Sequence, residues 1–147
     1  MPIDPAIVGT RLSAHTVEVE RGRLRLFAHA IGETDPSYVD IEAAHAAGHP
    51  DLPVPPTFLF CLEMERPDPF GFLSELGVDP RTVLHGEQAF EYHAPAYAGD
   101  QLMFVSTVSN VYTKKGGALE FLERTTEVNR GDTPIATLTA STVIRAR

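Results

Sequence analysis

The side chains best suited to chemistry are concentrated in one heptapeptide, Gly32-Glu33-Thr34-Asp35-Pro36-Ser37-Tyr38. It offers two carboxylates and a phenol, the components of a proton-handling or hydrogen-bonding loop. A second concentration, "LHGEQAFEYHAP", carries His85, Gln88, Tyr92 and His93. Either histidine could stand near a reacting group as a base. On a straight strand, however, eight residues span about 27 Å, too far for the two to cooperate. Polar positions near strand ends or at a subunit seam are the preferred account of them. Glu87 and Glu91 lie about 13 Å apart on the same strand, too far for the paired acids of a retaining glycosidase.

Two further candidates are weaker. Cys61 sits in "FLFCLEM", where no cation or base is present to make a reactive thiolate. It lines an apolar channel or packs as a small hydrophobe. His45 and His49 have the i, i+4 spacing of a helical metal pair. Gly48 and Pro50 interrupt the helix there and no third ligand is evident, so surface histidines are expected and no metal site.

These residues need elements to hold them. Leu24, Phe27, Ala28 and Ile31 recur at i, i+3, i+4 and i+7, which predicts a helix over 20–31, stopped by Gly32 and barred from continuing by Pro36. A short helix follows over 41–47, ended by Gly48. Pro50, Pro53, Pro55 and Pro56 keep the next segment extended. A helix over 57–64 then begins beside two prolines and is apolar on nearly every side, the pattern of a buried helix. Another short helix fits 70–76, closed by Gly77. From there the chain turns to strands, 82–92, 101–112, 119–129 and 135–145, with "KKGGA" and "RGDTP" supplying turn chemistry between the last three. In "QLMFVSTVSNVYT" neither face is cleanly polar, so a sheet covered on both sides is expected, by a helix and by a partner subunit. The expectation is one α+β domain over residues 1–147, helices first and then an antiparallel meander wrapped around the apolar helix.

Composition narrows the partners. Twelve Lys and Arg against 20 Asp and Glu leave a net charge of −8, which repels phosphate backbones and anionic lipid. Nucleic acid and membrane are therefore poor partners. An acidic carrier protein would need a local basic patch, for which Lys114 with Lys115, or Arg21 with Arg23 and Arg25, are candidates. A single cysteine allows no intrachain disulfide and no paired-thiolate metal site. The N-terminus has no basic segment followed by an apolar run, so the cytoplasm is the expected location.

"VERGRLRLFAHAIGETDPSYVD", "PVPPTFLF" and "LHGEQAFEYHAPAYAGDQL" occur here in that order, followed by the closing strands. Together they resemble the MaoC-like dehydratases of hot-dog fold, and among them the N-terminal FAS1-like dehydratase type. The resemblance implies an enzyme of acyl thioesters of coenzyme A or acyl carrier protein. Such enzymes hydrate trans-2-enoyl chains or dehydrate (3R)-hydroxyacyl chains, with no cofactor. In catalytic relatives the loop after the first helix reads Gly-Asp-x-Asn-Pro-x-His, and its Asp and His act on one water. Here Gly32 and Pro36 match, whereas Glu33 stands for the Asp, Asp35 for the Asn and Tyr38 for the His.

That exchange weakens the dyad at both members. A phenol titrates near ~10 and donates a hydrogen bond far more readily than it accepts a proton. Glu33 adds a methylene and displaces its carboxylate. Relatives also polarise the thioester carbonyl with backbone N–H groups at the start of the buried helix. Here that turn holds Pro55-Pro56, which have no N–H, so Thr57 is the first donor. The resemblance is closest to a silent subunit, as in the mycobacterial (3R)-hydroxyacyl dehydratases, which shapes an acyl tunnel while a catalytic MaoC-like chain supplies the dyad. On that reading Asp35, Pro56, Thr57, Phe58, Cys61, His85 and Gln88 contact the substrate. Glu33 and Tyr38 occupy the degenerate catalytic positions, and the chain forms a homodimer or a heterodimer. A self-sufficient hydratase using Glu33, a hot-dog thioesterase and a non-catalytic acyl-CoA-binding protein remain as alternatives.

Overall fold

A computed structural model describes residues 3–146. Five antiparallel strands form one sheet: β1 (Arg11–Glu18), β2 (Val83–Tyr92), β3 (Gln101–Lys114), β4 (Leu119–Arg130) and β5 (Thr133–Arg145). Their order across the sheet is β1-β3-β4-β5-β2. Four short helices precede β2: α1 (Arg21–Ala30), α2 (Ile41–Ala46), α3 (Phe58–Glu63) and α4 (Gly71–Glu75). This is the α+β, hot-dog arrangement implied above, with α3 packed against one face of the sheet.

The expected elements recur within a few residues at each end, but the expected order does not hold. A strand, β1, comes before the helices and pairs with β3 at one edge. Its sequence, RLSAHTVE, reads as polar because two of its inward side chains make hydrogen bonds instead of packing as hydrocarbon. Ser13 Oγ accepts from Arg66 Nη1. His15 Nε2–H donates to the Leu62 carbonyl at 3.1 Å while its ring stacks on Phe104. Nor is β2 part of the meander: it crosses to the opposite edge and pairs with β5. Only β3, β4 and β5 run as consecutive neighbours.

Helix α1 buries Leu24 and Ala28 completely and sets Phe27 against Phe58, ring centroids 4.9 Å apart. Ile31 departs from the expected face. It follows the helix as its cap and is 52% exposed. Gly32 then takes φ +72, a left-handed conformation that glycine adopts without strain, and the Glu33 N–H returns to the Ala28 carbonyl at 2.9 Å.

Under the sheet, Phe58, Leu59 and Leu62 of α3 pack with Leu102, Phe104, Val128 and Leu138. A second cluster joins Phe72 and Leu73 of α4 to Val108, Leu122 and Ile144. Strand β3 is covered on one face only within the chain: Leu102, Phe104, Ser106 and Val108 are buried, while Met103 on the other face is 44% exposed. Among the described residues no helix is long and apolar enough to cross a membrane.

Candidate functional site

The loop after α1 is built from its own hydrogen bonds. Glu33 Oε1 accepts from the Thr34 and Asp35 N–H groups at 2.9 and 3.0 Å. Asp35 caps the following turn, Pro36–Tyr38, accepting from the Ser37 N–H and hydroxyl at 2.9 and 2.8 Å. Those two donors hold the Asp35 carboxyl below its ordinary range. Tyr38 moves the other way: burial first, then the charges of Glu33 and Asp35, push its phenol above its ordinary value. The acid is thus occupied by its own loop, and the phenol is still less able to give up its proton.

Tyr38 lines a cleft of about 400 Å³ with Pro56, Leu59, His49, Tyr92 and His93. At its rim the prolines leave little backbone to bind an oxyanion. Pro55 and Pro56 have no N–H, and the Phe58 N–H already donates to the Pro55 carbonyl at 2.9 Å. Thr57, exposed, begins α3 with no side-chain cap bond. His49, expected at the surface, is instead half-buried in this cleft, its Nδ1 3.3 Å from the Tyr97 hydroxyl. His93 Nε2–H donates to Thr137 Oγ1 at 2.9 Å, and that hydroxyl donates to Glu127.

Successive residues of α3 open onto different spaces. Leu59 faces the cleft, whereas Phe60 borders a more apolar cavity of about 510 Å³, walled by Met64, Phe70, Phe72, Leu73 and Leu84. His85 belongs to this second space, its ring stacked on Phe60 at 5.4 Å. A bulge in β2 between His85 and Glu87 places it there. The inserted residue shifts the strand's phase, so His85 turns toward α3 as Phe90 does. Gly86 makes the bulge possible, since a Cβ there would lie 2.8 Å from Val143 Cγ2 and 3.2 Å from the Ser141 carbonyl oxygen. His85 and His93 thus border different spaces, His85 beside Phe60 and His93 beside Tyr38.

The residues expected at the substrate are thus divided. Tyr38 and Pro56 share the cleft; His85 lies in the cavity. Phe58 belongs to the core, beneath the Arg23 guanidinium, and Cys61 packs against that core half-buried. Gln88 points inward from β2 with both amide atoms buried and without a hydrogen-bond partner among the described residues.

One buried group had no counterpart in the sequence reading. Glu63, the last residue of α3, is 1% exposed. Its Oε1 accepts from Thr126 Oγ1 at 2.6 Å, and Thr126 shares a 2.8 Å hydrogen bond with Ser106. Arg124 Nη1 lies 3.9 Å from the same oxygen, and its guanidinium sits over the Phe72 ring at 4.6 Å. Burial, partly offset by Glu63 and reinforced by Arg66, pulls Arg124 below its usual range. Among the described residues, no group of three or more His, Cys, Asp or Glu could hold a metal ion.

This architecture has clear relatives. Residues 6–138 match the family model described as FAS1-like, dehydratase domain region. The chain belongs to that family. A UPF0336 protein of Streptomyces griseus is 36% identical over 140 residues, 95% of this chain and 93% of the relative. A crystal structure of the HadBC (3R-hydroxyacyl-ACP dehydratase) complex of Mycobacterium tuberculosis superposes with TM-score 0.80 at 23% identity, covering 93% of this chain and 96% of that one. A MaoC-like dehydratase superposes with TM-score 0.81 at 26% identity, over 96% of this chain and 43% of that longer one. The fold is that of the MaoC-like hot-dog dehydratases and (R)-hydratases.

Proposed function

We propose that this chain, acting as one domain over residues 1–147, is the acyl-thioester-binding subunit of a (3R)-hydroxyacyl-CoA or -ACP dehydratase (enoyl hydratase). In this reading it houses the acyl chain in the cavity beside Phe60 and His85, while a catalytic MaoC-like partner supplies the water-activating dyad. One observation carries the reading: at the position of the dyad, Glu33 is bound to its own backbone and Tyr38 is a phenol whose proton is held more firmly than usual. Neither group is poised to take a proton from water near neutral pH.

Association is supported by the edge strand β2. Among the described residues it leaves one side of its backbone unpaired, and it exposes Leu84 and Tyr92. A homodimer or a heterodimer through this edge would continue the sheet; the HadBC structure is of a complex. The test is hydration of trans-2-enoyl-CoA substrates by the purified chain, alone and mixed with a MaoC-like chain carrying an intact loop. The expected result is binding without turnover alone and turnover in the mixture. Full turnover alone, lost in Glu33→Gln or Tyr38→Phe, would overturn the proposal.

A second reading has one observation in its favour. Two imidazoles, His49 and His93, line the same cleft as Tyr38, and histidine is the side chain most often used as a general base. If the chain alone hydrates enoyl-CoA and His49→Ala abolishes the activity while Tyr38→Phe does not, this is a self-sufficient enzyme with a relocated base. Release of free CoA instead of hydration would identify a thioesterase.

A further inference from the structure

The cavity beside Phe60 is walled mainly by hydrocarbon, with His85, Thr142 and Arg124 as its polar residues. Arg124 lines it, yet the residue is only 6% exposed, and its Nε and Nη1 have no hydrogen-bond partner among the described residues. A guanidinium keeps its charge in proteins and presents its donors in a rigid fork. Buried and unmatched, such donors are costly.

Glu63 does not complete them. Its Oε1 is engaged by Thr126 and stands 3.9 Å from Arg124 Nη1, near enough for attraction and too far for a hydrogen bond. A second guanidinium, Arg66, is close enough to disfavour the charge on Arg124; its own Nη groups are used by Ser13 and the Pro69 carbonyl. Around Glu63, the buried carboxylate of this group, stand two guanidinium groups, Arg124 buried and Arg66 half-buried. Asp68, the other acid felt by Arg66, is exposed. Beside this hydrocarbon-lined space, Arg124 thus lacks a hydrogen-bonded counter-ion among the described residues.

We infer that this cavity takes an apolar chain that ends in a carboxylate, with the buried Arg124 as its counter-ion. A chain ending in a methyl group would fill the space but bring the guanidinium no counter-charge. A terminal carboxylate offers acceptor oxygens and a negative charge to the Arg124 guanidinium where it lines the cavity. The inference rests on the proposed function only in taking the occupant to be an acyl chain. It then narrows the substrate class to acyl groups with an ω-carboxylate.

The test uses the full chain and two ligands of equal chain length, decanoate and decan-1-ol, with binding read by calorimetry. Decanoate is expected to bind about tenfold or more tightly than the alcohol, the margin of a charge-assisted contact. The double variant Arg124→Met/Glu63→Gln removes both charges without stranding either. It should keep alcohol binding and lose the preference. Leu84→Trp, at a half-exposed wall position, should abolish binding of both ligands. Circular dichroism and thermal melts establish that each variant is folded. Equal affinities, a preference that survives in the double variant, undiminished binding by Leu84→Trp, or no binding of either ligand would each overturn the inference. The CoA monothioester of decanedioic acid, whose free end is a carboxylate, is titrated into the same samples and separates the two claims. Decanoate bound with no binding of that thioester refutes the thioester reading alone. The thioester bound without a preference for decanoate over decan-1-ol refutes the inference alone.

Discussion

The two flanks of α3 treat their polar groups in opposite ways. On the Tyr38 side, where the family's chemistry would be expected, the acids are spent locally: Glu33 on two backbone N–H groups, Asp35 on Ser37. On the Phe60 side, buried groups remain only partly satisfied: Glu63 Oε2, Arg124 Nε and Nη1, and Arg66 Nε. A motif shows where chemistry once resided in a family. Buried unmatched donors show where this molecule retains interaction energy for something else. The difference separates a loop whose acids are bound within it from a cavity bordered by polar groups without partners among the described residues.

The largest effect should come from breaking the buried side. Glu63→Leu leaves Arg124 charged and buried without its neighbour, so urea denaturation should show a loss of about 3–5 kcal/mol, largely recovered when Arg124→Met is added. An unaltered midpoint in the single variant would mean that the cluster reaches solvent and that the contrast fails. Next, Gly86→Ala forces a Cβ against Val143 and the Ser141 carbonyl. Overpacking should cost about 1–3 kcal/mol and turn His85 away from Phe60, seen as a changed His85 ring shift in NMR spectra.

The smallest effect belongs to the loop. The folded state holds the Asp35 carboxyl below its ordinary range, so it binds that proton less tightly than the unfolded chain does. Its contribution is present above the unfolded carboxylate value near ~3.9 and fades as the pH falls through the lower folded value. Melting temperatures of wild type and Asp35→Asn should therefore differ at neutral pH and converge in strong acid. A gap that widens on acidification would reverse the assignment.

Much of the frame was legible because local signals agreed with the final packing. Gly32, Gly48 and Gly77 all follow helices and all adopt positive φ, and the hairpin turns between β3, β4 and β5 carry their expected residues. Strand β1 was not legible, because Ser13 and His15 face inward and reach Arg66 and Leu62, which no local pattern reveals. The Glu63–Arg124 pair was hidden for a related reason. The buried face of β4 runs Glu120, Leu122, Arg124, Thr126, Val128, while Phe121 sits on the other side, so alternation alone leaves the phase of that strand ambiguous. The loop was legible as a departure from a motif. That its acid is consumed by its own backbone required coordinates.

The crossed strand order also bears on how the molecule assembles. Strands β3, β4 and β5 meet through short turns, whereas β1 must find β3, Glu18 opposite Gln101, across the whole helical segment. Closing so long a loop is entropically late. In pulsed hydrogen-exchange labelling the C-terminal hairpins should gain protection first. Both flanks of α3 would then take shape only when the outer strands zip on, making the ligand-facing half the last part of the chain to become native.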